Sequence, residues 1–412
     1  MPEFLKLIPP FEALNLFRQN LPKIQIKVET VPTRSALGRV TAAPIISQQP
    51  LPPFTRSTVD GYAVIASNTH GASESLPAYL TLVGEVPMGN VPTFHIEANQ
   101  TAVIHTGGML PSGANAVVML EYTQTARPGE VEVLRAVADG ENLVFKGEDV
   151  AEGEIVIPAG VKIRKPELGG ITALGSLEVQ VSQSPRIGVL SSGDEVVPPD
   201  VTPRPGQVRD INTYTLSALI EEEGAVPVSY GILPDQIDVL REALRLALAE
   251  NDAVVITAGS SASVRDLTAQ VIQEMGEPGV LVHGINFRPG KPTILAVCNG
   301  KPVIGLPGNP VSALVVGGIF IPPLIHHLLG IQDEKPEAFV PSVLGVNVPS
   351  QAGKEEWIPV HLHRENDQWL ADPIFFKSNL IFNLAHADGL IRIPPDANGL
   401  NAMEPVQVYL LH

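Results

Sequence analysis

The sequence predicts a multidomain protein in which a central α/β domain is accompanied by separate β domains. Three observations lead to this fold class. The chain has 412 residues, which is too long for a single core and suggests about three domains. Residues 45–138 hold short apolar or alternating runs without a long helical period, as in a β domain. From residue 184 onward, short apolar runs alternate with amphipathic ones, as in a parallel α/β sheet.

The N-terminal half contains one short helix on each side of the strand-rich region. A helical pattern covers residues 11–20, and a second follows Pro166 within residues 139–183. Between them, strands are predicted over residues 78–86, 101–105, 116–121 and 130–136.

The central region alternates strands and helices. Strands are predicted over residues 186–191, 226–232, 253–257, 293–297 and 302–305, and helices over residues 213–223, 235–250, 266–275 and 310–329. In a parallel sheet, ligands bind beyond the carboxyl ends of the strands. The loops 191–195, 257–266 and 305–312 follow such ends, so we expect them to lie together at a binding site.

After residue 336 the chain returns to short strands, over residues 360–363, 390–393 and 406–410. These strands predict a small C-terminal β domain.

Composition excludes several classes of function. Lys and Arg number 27 against 44 Asp and Glu, for a net charge of −17, which argues against nucleic-acid binding because phosphate contacts need a basic face. An anionic substrate would need a local Lys or Arg focus or a metal ion. The single cysteine, Cys298, excludes a disulfide within the chain and a Cys-based metal cluster. Without a secretory signal or an uninterrupted 18-residue apolar run, we expect a cytoplasmic protein that is not in a membrane.

Two Gly- and Pro-rich loops can bind anions. The loop 305–312, Gly-Leu-Pro-Gly-Asn-Pro-Val-Ser, joins a strand to a helix, so backbone N–H groups and the helix start favour negative charge, and Ser312 can face a ligand. It lacks the Gly-Lys-Ser/Thr of a Walker loop. Lys291 stands between two prolines, with Arg288 beside it, and can meet a phosphate or oxyanion. Both loops are also compatible with plain surface turns.

Several acids stand at loop positions. Asp60 lies in a turn before an apolar strand, and Glu195 follows a strand end. Asp235 and Asp266 begin predicted helices, where each can also be a simple N-terminal cap. Several carboxylates and a lysine near the ligand edge of a sheet suit Mg²⁺ and a phosphoanhydride, because hard cations take oxygen ligands.

Taken in order, these motifs resemble those of the MoeA family, the molybdopterin molybdenumtransferases related to the E domain of gephyrin. The likeness extends over nearly the whole chain. Any one motif is weakly specific, but six in order are specific. The motifs occupy residues 52–63, 105–113, 147–150, 192–195, 289–292 and 305–312.

The resemblance implies an elongated homodimer with four domains. A discontinuous N-terminal domain, residues 1–44 and 139–183, is interrupted by a β domain, residues 45–138. A MoaB/Mog-like molybdopterin-binding α/β domain follows over residues 184–332, and a C-terminal domain resembling a β-barrel over residues 333–412.

The resemblance also implies an activity. Such enzymes take adenylylated molybdopterin and molybdate, use Mg²⁺, and release AMP during molybdenum cofactor biosynthesis. A Mog-type adenylyltransferase is a further partner that the resemblance suggests. The sequence does not separate molybdate from tungstate, because both are tetrahedral dianions of similar size.

When the family motifs are matched residue by residue, the resemblance implies catalytic, metal-binding and ligand-binding roles for particular residues. The active-site acids are Asp60, Glu195, Asp235 and Asp266, of which the last three are the Mg²⁺ ligands. The residues that bind the pterin nucleotide and molybdate are Thr106, Gly107, Gly108, Ser192, Gly193, Ser261, Lys291, Pro307, Gly308, Asn309, Ser312 and Ser378.

Two segments depart from the family pattern. In the loop 258–266, Ser263 and Val264 replace a usual Gly and a usual acid. Lys354 replaces a usual Arg and so lacks the planar fork suited to oxyanions, and Pro359 stands where a second Arg is usual.

These departures leave two alternative functions open. One is a scaffold homologue that binds the pterin nucleotide without inserting metal, which the altered loop and Lys354 would favour. The other is a Mog-type adenylyltransferase, against which the flanking β domains and the Asp60 motif argue.

Overall fold

A computed structural model describes residues 7–258, 262–332, 338–375 and 377–411. Within these ranges, the side chains of residues 126 and 262–266 are not described. Over these ranges the predicted combination of a central α/β unit with β domains is confirmed.

The secondary structure alternates short strands with a small set of helices. The helices are α1 (Pro10–Asn20), α2 (Lys165–Ala173), α3 (Asn212–Glu222), α4 (Ile237–Glu250), α5 (Ala262–Glu274), α6 (Pro310–Leu329) and α7 (Ile381–Ala385). The strands are β1 (Val28–Pro32), β2 (Ile45–Ile46), β3 (Arg56–Ser57), β4 (Gly61–Val64), β5 (Ala78–Val86), β6 (Gln100–Ile104), β7 (Ala116–Met119), β8 (Thr123–Arg127), β9 (Glu130–Val133), β10 (Leu143–Val144), β11 (Ile155–Ile157), β12 (Glu178–Ser182), β13 (Arg186–Ser192), β14 (Val196–Val197), β15 (Val208–Arg209), β16 (Val226–Leu233), β17 (Ala253–Ala258), β18 (Pro278–His283), β19 (Phe287–Arg288), β20 (Ile294–Cys298), β21 (Lys301–Pro307), β22 (Phe339–Leu344), β23 (Val348–Pro349), β24 (Glu355–Glu365), β25 (Gln368–Pro373), β26 (Gly389–Ile393), β27 (Gly399–Leu400) and β28 (Pro405–Leu410).

The first β region is a six-stranded sheet in the order β7-β4-β6-β5-β9-β8. The chain enters and leaves it through two short antiparallel pairs, β3 with β10 and β2 with β11. Outside these pairs, β1 and β12 pair antiparallel, from Val28 opposite Ser182 to Pro32 opposite Glu178. The segments before and after the sheet therefore lie side by side.

The central sheet has the order β16-β13-β17-β21-β20-β18. The first four strands are parallel, as expected, with β13 and β17 in the middle. Strand β20 runs antiparallel to both of its neighbours, β21 and β18, contrary to the expectation of a wholly parallel sheet. The reversal of β20 has a local cause: Asn299 and Gly300 both have positive φ and close a two-residue hairpin between β20 and β21.

Helices cover both faces of this sheet. Leu216 of α3 and Phe320 of α6 belong to one buried cluster, and Leu240 of α4 and Ile272 of α5 belong to the other. The helices predicted over 213–223, 235–250 and 310–329 correspond to α3, α4 and α6, whereas α5 begins four residues before the predicted start at Asp266.

Helix α6 is long and apolar. By length and composition alone it is the one described helix that could span a membrane. A core helix passes the same test, and Val311, Phe320 and Leu324 are buried in the central core. We therefore assign α6 to the interior of the α/β domain.

The C-terminal region forms a closed five-stranded barrel. Its strands follow the order β24-β25-β22-β28-β26, and β26 pairs with β24 to close the ring. Ile358, Val360, Ile391 and Val408 fill its interior. The two-residue strand β19 of the central region pairs in parallel with β24 and so joins the two domains.

Substitution of Gly290 tests how closely the turn that contains Lys291 packs against α6. Its φ is +121°, and an added Cβ would lie 2.1 Å from Val316 Cγ2. We expect Gly290→Ala to destabilise the protein by about 1–3 kcal/mol, through backbone strain and overpacking. The measurement is urea unfolding followed by circular dichroism.

Gly318 provides the matched control, because it is exposed in α6 and an added Cβ would meet no atom within 4 Å. Gly318→Ala should stabilise by up to about 1 kcal/mol through helix propensity. Equal effects of the two substitutions would contradict the packing assigned to Gly290.

Candidate active site

A cavity of about 700 Å³ lies between the central α/β domain and the C-terminal barrel. The α/β domain contributes two Gly- and Pro-rich loops, and the barrel contributes two segments of its wall and one loop. The lining residues are Arg288, Pro289, Gly290, Lys291, Pro292, Pro307, Gly308, Asn309, Ser312, Val348, Pro349, Glu356, Ile358, Phe375, Lys377 and Ser378.

The loop at the start of α6 is held from two sides. Asn309 is the N-cap residue, and its Nδ2 donates to Ser378 Oγ at 3.1 Å. The backbone N–H of Val311 donates to the Ser378 carbonyl at 3.2 Å. On the other side, Asn212 Nδ2 donates to the Gly308 carbonyl at 2.8 Å. The structure thus brings together the predicted residues Gly308, Asn309 and Ser378.

The turn that carries Lys291 is anchored through its backbone. Thr293 Oγ1 donates to the Gly290 carbonyl at 2.7 Å, and the N–H of Ile285 donates to the Lys291 carbonyl at 2.9 Å. The Lys291 side chain is exposed and lines the cavity. It forms no ion pair with any side chain in the described part of the structure.

Arg288 contributes a cation whose charge is already balanced. Its Nη1 lies 3.1 Å from Glu356 Oε1 on the barrel. Glu356 is buried, and its other carboxylate oxygen accepts a 2.7 Å hydrogen bond from Ser350 Oγ. The ion pair therefore forms part of the joint between the two domains.

A second cavity of about 300 Å³ shares Gly308 and Asn309 with the first. It is lined by Ser192, Glu195 and Asp210 at the carboxyl end of β13. The loops 191–195 and 305–312 therefore lie next to each other. Ser261, in the third loop expected here, lies outside the described residues.

Three acids approach one another beside this second cavity. The backbone N–H of Asp235 donates to Asp194 Oδ1 at 3.1 Å. The Glu195 carboxylate packs against Gly193, where an added Cβ would lie only 2.9 Å from Glu195 Oε2. Asp235 Oδ1 is buried and has no hydrogen-bond partner among the described residues.

Burial raises the pKa of the Asp235 carboxyl, and the negative charge of Asp194 raises it further. The Ser192 hydroxyl lies nearby and offsets part of this shift, although its geometry is not that of a hydrogen bond. Asp235 is not a helix cap, because Gln236 is the N-cap of α4 and no side chain caps that helix. The alternative role considered from the sequence is therefore wrong for Asp235.

Asp266 does not occupy an N-cap position either, because α5 begins at Ala262. Its side chain lies outside the described part of the structure. Among the side chains that are described, no three His, Cys, Asp or Glu groups stand close enough to form a metal site. Asp194, Glu195 and Asp235 nevertheless supply only oxygen donors, one of them buried and unpartnered, which is the chemistry that Mg²⁺ requires.

Asp60 is positioned by the loop that follows β6. Its Oδ1 accepts hydrogen bonds from the Thr106 backbone N–H at 2.8 Å and from Thr106 Oγ1 at 3.2 Å. Gly107, with φ +82°, donates its N–H to the Ser57 carbonyl at 2.8 Å, and Gly108 follows in the same loop. The two Thr106 hydrogen bonds, the backbone one first, hold the pKa of Asp60 below its usual value.

His105 lies beside Asp60, with Nδ1 at 3.9 Å from Asp60 Oδ1 and Nε2 at 3.0 Å from Glu85 Oε1. Between residues 45–138 and the central or C-terminal domain, we find no hydrogen bond or ion pair within the described ranges. Within one chain, the described hydrogen bonds and ion pairs therefore do not link the Asp60 group to the inter-domain cavity.

Three family models match the chain and together span most of its length. Residues 8–175 match the MoeA N-terminal region (domain I and II), residues 188–327 match a "Probable molybdopterin binding domain", and residues 341–411 match the MoeA C-terminal region (domain IV). A molybdopterin molybdenumtransferase of Nostoc sp. is 31% identical over 396 residues, covering 93% of this chain and 89% of its own. The chain belongs to the MoeA family.

Solved MoeA structures share the whole architecture. One molybdopterin biosynthesis MoeA protein of Pyrococcus horikoshii is 36% identical, with a TM-score of 0.79, covering 99% of this chain and 100% of its own. Another structure from the same organism is 32% identical, with a TM-score of 0.84, covering 98% and 100%. The family resemblance predicted from the sequence is confirmed, and its central region matches the model described as a probable molybdopterin binding domain.

Within this MoeA fold, the cavity contains two charged residues that the sequence analysis did not single out. Glu356 holds Arg288, and Lys377 lines the cavity beside Ser378. The sequence offered one signal for Lys377, which is its position next to the predicted site residue Ser378. Lys354, which replaces a usual family Arg, does not line the cavity.

The raised pKa of Asp235 predicts the direction in which Asp235→Asn changes the thermal stability of the protein. The protonated form favours the folded state: this contribution is complete below the unfolded pKa, about 4, and is lost as pH rises through the folded pKa. Asp235→Asn removes the unfavourable charge, so at pH 7 without divalent cations we expect Tm to rise by about 1–3 °C. The gain should disappear as pH falls below about 4. Thermal unfolding in EDTA from pH 4 to 8 measures it.

Asp238 is the control, because it is exposed in the first turn of α4 and pairs with Arg241. Asp238→Asn should leave Tm unchanged or slightly lower, since an acid at a helix N-terminus is favourable. A lower Tm for Asp235→Asn at pH 7 would contradict the burial and repulsion assigned to Asp235.

Proposed function

We propose that this chain is a molybdopterin molybdenumtransferase, which inserts molybdate into adenylylated molybdopterin with release of AMP during molybdenum cofactor biosynthesis. The observation that carries the proposal is the inter-domain cavity of about 700 Å³. It is faced by the start of α6 and by Lys291, which forms no ion pair with the residues that the structure describes. Membership of the MoeA family supports the reaction, and relatives covering most of the chain have this name.

The cavity has the size and the charge for an anionic small molecule. Ligand pockets typically enclose about 300–1,000 Å³. The chain as a whole carries a net charge of −17, so anion binding needs a local concentration of positive charge. Lys291 supplies one, and the N-terminus of a 20-residue helix adds a partial positive charge at Gly308 and Asn309.

The acidic group at the second cavity supports Mg²⁺ as the cofactor. Glu195, Asp235 and Asp266 would hold the ion, which would screen the carboxylates from phosphate and polarise the bond to be broken. Asp235 contributes a property of its own: burial and the charge of Asp194 raise the pKa of its carboxyl, and a bound cation would favour the ionised form and oppose that shift. The shared loop residues Gly308 and Asn309 would place substrate phosphates between the acids and Lys291.

We further propose that the working form is a cytoplasmic homodimer with composite sites. Asp60 is held ionised by Thr106, but no described hydrogen bond or ion pair connects this group to the cavity of its own chain. A second copy would bring one chain's Asp60 to the other chain's Lys291. Adenylylated molybdopterin then comes from a Mog-type adenylyltransferase, the partner that the reaction requires.

One of the two observations that favoured a scaffold homologue without metal insertion does not concern the cavity. Lys354 favoured it as a weakened oxyanion ligand, but that residue lies outside the cavity lining. Charge at the cavity comes from other residues. The altered loop 258–266 includes residues outside the described ranges and adds nothing for either function.

The activity is tested with adenylylated molybdopterin, Mg²⁺ and molybdate, by following AMP release and the formation of active cofactor. Lys291→Ala removes one charge-assisted contact, about 1.5–3 kcal/mol, so nucleotide affinity should fall about ten- to a hundredfold. The salt dependence of binding should also shrink. Calorimetry at two salt concentrations measures both effects.

Lys23→Ala is the matched control, since Lys23 is exposed and lies outside the cavity lining. It should leave affinity and AMP release unchanged. No AMP release by the wild-type chain would overturn the proposed reaction, and unchanged affinity in Lys291→Ala would make Lys291 an ordinary surface lysine.

A mixed-dimer experiment tests the composite site. Asp60→Ala and Lys291→Ala chains should each be nearly inactive alone. When co-expressed, half of the chains form mixed dimers in which one site contains both substitutions and the other contains neither. We therefore expect about a quarter of wild-type activity in the mixture. Failure to exceed either parent would show that Asp60 and Lys291 act within one chain.

A further inference from the structure

We propose that the outer face of the C-terminal barrel holds a binding site for a divalent transition-metal ion such as Cu²⁺ or Zn²⁺. Its protein ligands would be Nε2 of His361 and Nε2 of His363, and water would complete the coordination. Neither histidine lines the inter-domain cavity, and the inference does not depend on the proposed function.

The two histidines lie on the same face of β24. Leu362 between them packs against the core of the barrel, so the side chains at 361 and 363 point outward, because side chains alternate along a strand. The side chain of His361 is 60% exposed and that of His363 is 41% exposed. Residues two apart on a strand are separated by about 6.6 Å, which lets both imidazoles reach one ion at about 2.0–2.1 Å from each nitrogen.

Each imidazole has a carboxylate beside its other ring nitrogen. His361 Nδ1 lies 2.6 Å from Asp388 Oδ2, and His363 Nδ1 lies 3.1 Å from Asp372 Oδ2. At these separations each Nδ1 has to carry the ring proton, because two lone pairs would repel each other. A neutral imidazole with its proton on Nδ1 has a lone pair on Nε2. We find no hydrogen-bond or ion-pair partner for either Nε2 within the described part of the chain, so both are available as ligands.

The two carboxylates are themselves held in place, from strands on either side of β24. Asp388, just before β26, also accepts the Leu362 N–H on Oδ2 at 2.7 Å. Asp372 stands opposite His361 on β25, and its Oδ1 packs against Gly345, where an added Cβ would lie 2.1 Å away. Histidines that bind metals usually have a carboxylate or carbonyl on the other ring nitrogen, which fixes the tautomer and raises the basicity of the ligand.

The adjacent His326 and His327 of α6 show the opposite arrangement. Their Nε2 atoms are already engaged, each at 2.9 Å, by Glu223 Oε2 and by the Pro22 carbonyl. A purely structural role explains such a pair in the interior. It explains the exposed pair on β24 less well, because exposed ion pairs contribute little to stability.

The ligand set indicates which ions would bind. Imidazole nitrogens suit Cu²⁺, Ni²⁺ and Zn²⁺, with Cu²⁺ bound most tightly. Among the described side chains, no third His, Cys, Asp or Glu completes a metal cluster, so the site would have two imidazoles, with the aspartates as their supports. The net charge of −17 favours the approach of cations.

The experiment titrates Cu²⁺, and separately Zn²⁺, into the untagged full chain by calorimetry, with excess Mg²⁺ present to occupy sites made of carboxylates alone. We expect one saturable site per chain, with Cu²⁺ bound more tightly than Zn²⁺. His361→Ala and His363→Ala should each weaken Cu²⁺ binding by at least the roughly tenfold that loss of a supporting partner costs. Pulsed electron paramagnetic resonance should detect two imidazoles on the bound Cu²⁺ of the wild type and one in each variant.

Two further variants separate a built site from a chance surface imidazole. His95→Ala removes an exposed histidine whose Nδ1 lies 3.1 Å from Ser112 Oγ and which has no second histidine two residues away, so Cu²⁺ affinity should be unchanged. Asp388→Asn keeps an acceptor for the Leu362 N–H but removes the charge beside His361, and should weaken binding about tenfold. Circular dichroism confirms that each variant is folded.

Three results would overturn the proposal. The first is the absence of saturable Cu²⁺ binding by the wild-type chain. The second is Cu²⁺ binding by His361→Ala and His363→Ala that equals the wild type. The third is a loss confined to only one of these two variants, because a single imidazole is not the chelating pair assigned to β24.

Discussion

A two-residue strand of the α/β domain, Phe287–Arg288, pairs in parallel with β24 of the C-terminal barrel, and this pairing fixes the walls of the large cavity. Two further links reinforce it. Arg288 and the buried Glu356 form an ion pair, whose disruption would leave a buried charge uncompensated. Ser378 bonds to the first turn of α6. Lys291, Ser312 and the barrel loop can share one site only because the two domains are joined at these points.

The same architecture separates charges that would otherwise repel a substrate. On one side of the loop containing Gly308 and Asn309 lies a cavity lined by Lys291 and Lys377, and on the other lies a smaller cavity lined by Glu195. An acidic protein can bind an anionic nucleotide when its cations and its acids face different parts of the ligand. Burial and the neighbouring Asp194 raise the pKa of Asp235 on the acidic side.

Much of the fold followed from local patterns. Apolar periodicity and the Pro-Gly punctuation identified α6 with its observed bounds, and the strand-helix alternation identified the parallel half of the central sheet. The reversal of β20 was missed, although Asn299-Gly300 is a strong hairpin signal. The pairing of Arg288 with Glu356 and the entry of Lys377 into the cavity could not be read from sequence, because they arise from contacts between distant segments. For the same reason the capping role considered for Asp235 could be rejected only once the start of α4 was known.

The claim on which the account depends is that the joint between the α/β domain and the barrel is an oxyanion-binding site. Crystals grown with sodium tungstate and measured at the tungsten absorption edge test it most directly, because the anomalous signal locates the oxyanion without any assumption about turnover. The account predicts a tungsten peak in the inter-domain cavity, with its oxygens within hydrogen-bond distance of Lys291, Ser312 and Ser378. Tungsten bound only elsewhere, with the cavity filled by water, would contradict it.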